Sequence, residues 1–160
     1  MVIPTPNELQ AELVAVARTL PAFVESGFSV FDLDDAIAQG AMQQYPLLCV
    51  TYDGSFPLAR ANEANGVASG AGSVVLGDFQ FTVIIALQYN YAQQEDTKIQ
   101  AISLLSALRE MLLGYKSSEF RRPWRWLGEK PEREQSEDGL VFYSQVWRTT
   151  VPVVGSFNRV

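Results

Sequence analysis

The sequence contains no histidine and a single cysteine, Cys49. Without an imidazole, serine–histidine–aspartate and cysteine–histidine catalysis, the common zinc sites and the usual proton shuttle near neutral pH are excluded. One cysteine allows neither an intramolecular disulfide nor a thiolate metal cluster. Cys49 lies in an apolar run, where it is expected to be a small core residue of a protein made in a reducing compartment. We therefore predict no catalytic residue, no cofactor and no metal.

Charged residues are also scarce. They make up 19% of the chain, below the about 25% usual in soluble proteins, which suggests that other subunits cover part of the surface. The net charge of −6 argues against ordinary nucleic-acid binding, which needs a basic face. No apolar run approaches the roughly 20 residues of a membrane helix, and residues 1–4 show no signal-peptide pattern. The length and the 48% hydrophobic content predict one domain over residues 1–160.

The first half of the chain predicts one clear helix and shorter elements. Residues 5–8, Thr-Pro-Asn-Glu, have the pattern of a capping box, and Pro21 should end the helix that follows. We expect a short strand near 28–31, a short helix over 32–39 and a strand over 45–52. The dipeptide Asp53-Gly54 should terminate that strand. The Ala-, Asn- and Gly-rich segment 58–73 is expected to be a flexible loop or arm.

The second half predicts a long strand over 74–91, either continuous or divided at Gly77-Asp78. A second helix, capped by Asp96 or Thr97 and stopped by Gly114, should follow. Its core stripe is expected to comprise Ile99, Ile102, Leu105, Leu108 and Leu112. The remaining residues resemble a strand pair, 123–127 and 139–153, joined by a charged hairpin turn over 128–138. Together these elements predict an α+β fold in which two main helices pack on one face of a mostly antiparallel sheet.

Two segments superficially suggest ligand sites. The glycine-rich stretch 66–72 lacks the Gly-Lys-Ser/Thr ending of a phosphate loop and precedes a strand, which favours a mobile loop. Asp32, Asp34 and Asp35 could hold a divalent cation, but they lack EF-hand spacing and are more typical of a solvated helix start.

The basic aromatic segment 121–126 allows three interpretations. Trp124 and Trp126 could belong to the core, because alternate strand residues share one side. Arginine with tryptophan is also the composition of interface hot spots. Thirdly, the segment could stack on single-stranded nucleic acid, which the acidic chain disfavours. The residues in question are Arg121, Arg122, Trp124, Arg125 and Trp126.

The layout of the chain resembles a known family. A leucine-rich helix ends at Leu113-Gly114-Tyr115, a short strand and a charged loop follow, and the segment 138–147 reads Asp-Gly-Leu-Val-Phe-Tyr-Ser-Gln-Val-Trp. Upstream lie a leading helix, a strand after Pro46 and a long central strand. This order is similar to that of the Mu-like phage gp37 family, which is grouped with tail terminator or tail-completion proteins.

The resemblance implies a non-enzymatic virion protein, assembled in the host cytoplasm, with a tail-terminator-like domain. Such a subunit forms a homo-hexameric ring on the head-proximal end of the tail tube, stops tube polymerisation and joins the tail to the neck. Its partners would be itself, the tail tube protein and a neck or head-completion protein, while DNA passes the lumen without specific binding and no membrane is involved. A ring needs interfaces that repeat and close.

Three sets of residues are assigned to that role. The 121–126 segment would lie at a subunit boundary, and the loop residues Asn62, Asn65, Gly66, Ser69 and Gly70 would contact the tube or neck. Asp32, Asp34 and Asp35 would face the channel. The alternatives are a head–tail connector or neck-completion protein and, in a different class, a small single-stranded nucleic-acid-binding module that uses the Arg/Trp strand.

Overall fold

A computed structural model describes residues 3–24, 27–30, 34–35, 38, 45–57, 74–89, 92, 94–115, 123–133 and 139–154. Its helices are α1 (Pro6–Ala17) and α2 (Gln94–Gly114), with a short 3-10 helix at Pro21–Phe23. The strands are β1 (Gly27–Val30), β2 (Leu47–Pro57), β3 (Val74–Gln88), β4 (Arg125–Arg133) and β5 (Leu140–Val154). These bounds confirm the predicted α+β class.

The five strands form one sheet in the order β1-β2-β3-β5-β4. β1 runs parallel to β2, and the other three neighbouring pairs are antiparallel. β3 and β5 pair along their full 15 residues, from Val74 opposite Val154 to Gln88 opposite Leu140. α1 lies against β1 and β2, whereas α2 lies against β3 and β4.

The capping box predicts the start of α1 correctly. The Thr5 hydroxyl accepts a hydrogen bond from the Glu8 amide, and the Glu8 carboxylate accepts one from the Thr5 amide at 2.7 Å. The helix ends at Ala17, and Pro21 opens the 3-10 turn. Gln10 then ties α1 to the sheet, because its buried amide donates to the Val50 carbonyl at 2.5 Å.

The principal core lies between the two helices and one face of the sheet. Odd-numbered residues of β3 and β5 point to this helix face, since side chains alternate along a strand. Its largest fully buried members include Phe81, Trp147 and Leu108. A smaller cluster on the opposite face comprises Leu47, Cys49, Ile84, Ala86, Leu140 and Phe142. Cys49 is a buried core residue, as expected.

β2 and β4 continue where the sequence predicted a strand end and a turn, whereas β3 takes the continuous form, one of the two that the sequence allowed. β2 passes through Asp53-Gly54 to Pro57, because a register shift between Tyr52 and Gly54 forms a bulge and Gly54 adopts a φ of +119°. β3 is continuous through Gly77-Asp78. β4 includes residues 129–133, which were assigned to the hairpin turn. Their charges are compatible with a strand because Glu129 and Glu132 find partners on neighbouring elements.

The predicted core stripe of α2 is wrong at its first two positions. Ile99 and Ile102 are each 61% exposed, whereas Leu105, Leu108 and Leu112 are buried. A repeat of three residues advances 300° per step on an α-helix and therefore drifts around the axis. Residues at its beginning and end cannot share one face. The helix also begins at Gln94, so Asp96 and Thr97 lie within its first turn.

Candidate interaction surface

Strand β4 lies at an edge of the sheet, next to β5. Its pairing shifts register between Trp126 and Gly128, and again between Pro131 and Arg133. Bulges and proline prevent an edge strand from templating another strand. A partner that approaches this edge therefore meets side chains rather than a regular ladder of backbone donors and acceptors.

The two tryptophans of the Arg/Trp segment occupy different environments. Trp124 is 2% exposed, lies edge-to-face on Phe81 with ring centroids 5.6 Å apart, and donates its indole N–H to Glu12 at 3.0 Å. Trp126 is 40% exposed, and its neighbour Leu127 is 47% exposed. The core interpretation thus applies to Trp124, while Trp126 presents an aromatic surface at the edge.

Arg109 of α2 fixes the exposed tryptophan. Its guanidinium carbon lies 5.1 Å from the centroid of the Trp126 ring, and its Nη1 donates to Glu129 Oε1 at 2.7 Å. A guanidinium above an indole ring is attracted by the ring quadrupole. Both partners lie on β4, so one side chain on the helix holds the edge strand at two points.

Gln145 completes this connection beneath the surface. The fully buried amide donates to the Leu105 carbonyl at 2.6 Å and to Glu129 Oε2 at 2.8 Å, and its oxygen accepts from the Trp147 indole at 3.3 Å. It therefore joins α2, β5 and β4 through one side chain. We call Arg109, Trp126, Glu129 and Gln145 the edge bracket. A surface held in this way loses little conformational entropy when a partner binds.

Arg125 points to the other face of the sheet. Its Nη2 lies 2.6 Å from Asp78 Oδ2, and Thr150 donates to the same carboxylate at 2.5 Å. Burial of Asp78 acts to raise its pKa, but the hydrogen bonds from Thr150 and Arg125, with the positive charges of Arg125 and Arg148, outweigh burial and lower it. No local sequence pattern indicates this ion pair, because its members are 47 residues apart.

Polar side chains continue from there across the same face. Asp53 accepts hydrogen bonds from Thr51 at 2.9 Å and Thr82 at 2.6 Å. Arg148 donates to Gln80 at 2.8 Å and lies 5.0 Å from the centroid of the exposed Phe56 ring. Acidic and basic groups neutralise one another along these strands. This part of the sheet is therefore not a basic nucleic-acid surface.

The remaining predicted sites fall partly outside the described residues. Arg121, Arg122 and Asp32 lie outside them, as do Asn62, Asn65, Gly66, Ser69 and Gly70 of the 58–73 loop. Asp34 is exposed, and Asp35 is partly buried. Burial raises the pKa of Cys49 to about 12, and the negative charge of Asp35 adds to this shift.

The outer side of α2 carries a second apolar feature, two of whose members, Ile99 and Ile102, were predicted to lie in the core. Ile99, Ile102 and Leu113 are all more than half exposed. At 100° per residue, these three side chains lie within about 60° of one another around the helix axis. The angle of each residue around the helix axis is the sequence signal that distinguishes these exposed residues from the buried ones.

In the part of the chain that the structure describes, no helix is long and apolar enough to cross a membrane. Within the same residues, no three histidine, cysteine, aspartate or glutamate side chains are grouped as they would be around a metal ion.

Comparisons with known proteins identify no family. No family model and no curated protein matches the chain. Among solved structures, a chain from the virion of a native gene transfer agent particle matches with a TM-score of 0.49 and 12% sequence identity, over 91% of this chain and 95% of that chain. This similarity assigns neither a family nor a function to the chain.

Proposed function

We propose that the chain is a structural virion protein: a phage tail terminator that forms a homo-hexameric ring on the head-proximal end of the tail tube. There it stops polymerisation of the tube protein and joins the tail to the neck, acting by assembly and steric capping without chemistry. The observation that carries the proposal is the preorganised edge of β4, where the edge bracket holds Trp126 beside the exposed Leu127.

The composition of this edge supports a protein partner. Tryptophan and arginine are enriched among residues that dominate interface energetics. At the β4 edge, Glu129 binds Arg109 and is itself held by Gln145, and the Arg109 guanidinium lies over Trp126. Bulges and Pro131 oppose growth of the sheet by strand addition. A side-chain contact between subunits fits these features, and repetition of one such contact can close a ring.

The order of elements gives a second line of support. A capped leading helix, a strand after Pro46, a long central strand, a second helix, an edge strand and a long final strand occur in sequence. This is the layout on which the resemblance to tail terminators was based. In the proposed ring, the 58–73 loop contacts the tube or neck, and Asp32, Asp34 and Asp35 face the channel, where negative charge would repel DNA.

The nucleic-acid alternative finds less support at the described residues. Trp124 is in the core and cannot stack on a base, while Arg125 is paired with Asp78. Trp126 is covered by Arg109 on one side. Single-stranded nucleic-acid binding uses several exposed aromatic side chains along a basic groove. A neck-completion role uses the same kind of protein interface, and the experiment below separates it from the terminator role.

The test is electron microscopy of particles from a phage whose copy of this gene carries a stop codon at Gln10. Headless tails of irregular and excessive length are expected, because nothing would stop the growing tube. Tails of normal length beside unjoined filled heads would instead indicate a neck protein. Wild-type particles would overturn both structural roles.

Complementation of that phage tests the β4 edge. Leu127→Asp should fail to restore tails of defined length, since it places a carboxylate at the exposed apolar contact. Gln100→Asp, which changes an exposed position on α2, serves as the control and should complement. Equal complementation by the two variants would exclude this edge from the assembly contact.

A further inference from the structure

The outer surface of α2 carries a regular stripe distinct from the side that packs in the core. Its members are Glu95, Ile99, Ile102, Ser106 and Arg109, spaced four, three, four and three residues apart. This is the spacing of the seam between two packed helices. Ile99 and Ile102 are the most exposed large hydrophobic residues in the described part of the chain. The stripe therefore has the pattern of a helix–helix contact without a partner in the monomer.

The charges at its ends identify a suitable partner. Glu95 lies seven residues before Ile102, and Arg109 lies seven residues after it. If a second α2 lies antiparallel with Ile102 at the two-fold axis, Glu95 of each copy meets Arg109 of the other. In the same register, the stripe residue nearest to Ile99 of the other copy is Ser106, one residue or about 1.5 Å from exact alignment, and its small side chain allows close approach. The stripe is thus complementary to itself in shape and in charge.

Arg109 has the capacity for this additional contact. A guanidinium has five N–H donors, and its hydrogen bonds to Glu129 and Ser106 use two of them. The edge bracket also fixes the orientation of the side chain, so a carboxylate from a second copy would meet a preorganised cation.

We propose that two free copies of this chain associate through an antiparallel, two-fold contact between their α2 stripes, centred on Ile102. The contact involves a helix surface next to β4 rather than the β4 edge. It concerns the protein before assembly, and it does not depend on the proposed role at the tail. A dimer would shield Ile99 and Ile102 from water while the protein awaits its partners.

A single cysteine at the two-fold axis provides the sharpest test. Ile102→Cys places two thiols together across the axis, so mild oxidation should give a disulfide-linked dimer. Gln100→Cys, exposed on the same helix but off the stripe, is the matched control. The native thiol should not interfere, because Cys49 is buried and its pKa is raised to about 12. Cross-linking should be at least about tenfold faster at position 102, since the contact raises the local thiol concentration.

Sedimentation equilibrium of the uncross-linked protein completes the test. Wild type should show twice the 17.7 kDa chain mass, and Ile102→Asp should raise the dimer dissociation constant about a hundredfold or more because it buries two carboxylates at the axis. Circular dichroism should show an unchanged fold, since Ile102 is exposed in the monomer. A monomeric wild type, or equal cross-linking at positions 100 and 102, would overturn the proposal. A larger oligomer without preferential cross-linking at 102 would also overturn it, while leaving the proposed ring intact.

Discussion

Arg109 on the second helix lies over the indole of Trp126 on the edge strand, with 5.1 Å between the guanidinium carbon and the ring centroid. The same arginine forms an ion pair with Glu129, 2.7 Å away. This relationship converts an exposed tryptophan from a mobile side chain into part of a fixed surface. It also distinguishes the two tryptophans of the Arg/Trp segment. Trp126 is held at the surface by Arg109, whereas Trp124 is buried in the core.

Substitution of the two tryptophans should therefore lower stability by very different amounts. Trp124→Ala should lower the free energy of unfolding by about 3–5 kcal/mol, because it leaves a large cavity. Trp126→Ala should lower it by only about 1 kcal/mol, because the ring is partly exposed and loses mainly the cation–π contact. Chemical denaturation measures both. In the complementation assay, the Trp126→Ala protein should fold but should fail to restore tails of defined length. Similar stability losses for the two variants would contradict the assignment of Trp124 to the core and Trp126 to the surface.

Gln145 should contribute more to stability than its uncharged side chain suggests. Gln145→Leu removes hydrogen bonds to Leu105 and Glu129 and leaves the Trp147 indole without its acceptor. The expected loss is about 1–3 kcal/mol, the usual cost of leaving buried polar groups unsatisfied. Gln100→Leu makes the same chemical change on the exposed side of α2 and should change stability by less than about 0.5 kcal/mol. Urea denaturation of both variants gives the comparison, and an equal effect would argue against a structural role for the bracket.

Asp78 should make the protein sensitive to acid. Its folded-state pKa is lowered relative to the unfolded value of about 3.9. The Asp78 carboxylate therefore contributes to the free energy of unfolding at pH values above the unfolded-state pKa, and this contribution is lost as the pH falls through the folded-state pKa. Stability measured below about pH 4 should fall less steeply in Asp78→Asn than in wild type.

At pH 7 the same Asp78→Asn variant should be less stable by about 1–3 kcal/mol, because Arg125 and Thr150 lose a charged acceptor. Asp53→Asn is the control, since Asp53 lies on the same face but is exposed to water, and it should cost less. If the two variants showed parallel stability curves from pH 2 to pH 7, Asp78 would not be the acid-sensitive group.

Gly54 should be required by the bulge in β2. Nothing lies within 4 Å of a Cβ built at this position, so the cost of Gly54→Ala arises from the backbone φ of +119°. We expect a loss of about 1–2 kcal/mol. Gly114→Ala also meets no neighbour but lies at the end of a helix, where alanine should be neutral or stabilising by about 0.4–1 kcal/mol. Thermal unfolding distinguishes them, and a stabilising Gly54→Ala would show that the strand tolerates another backbone conformation.

Local interactions made much of the fold predictable. The capping box of α1 depends on residues three positions apart, so Thr5 and Glu8 specify the helix start without tertiary contacts. The β-branched and aromatic composition of residues 74–91 similarly predicted a long strand. The order of elements and the α+β class follow from such short-range patterns.

Tertiary contacts decided the rest. Glu129 lies in a strand because Arg109 and Gln145 bind it, although its sequence neighbours favoured a turn. Ile99 and Ile102 are exposed because the rotation of α2 is set by Leu105, Leu108 and Leu112, which bury the opposite side. Arg125 meets Asp78 through strand pairing that joins residues distant in sequence. The sequence by itself determined the order and type of the main elements and which segments are apolar. Only packing determined which side chains remain available to a partner, because exposure depends on contacts between elements.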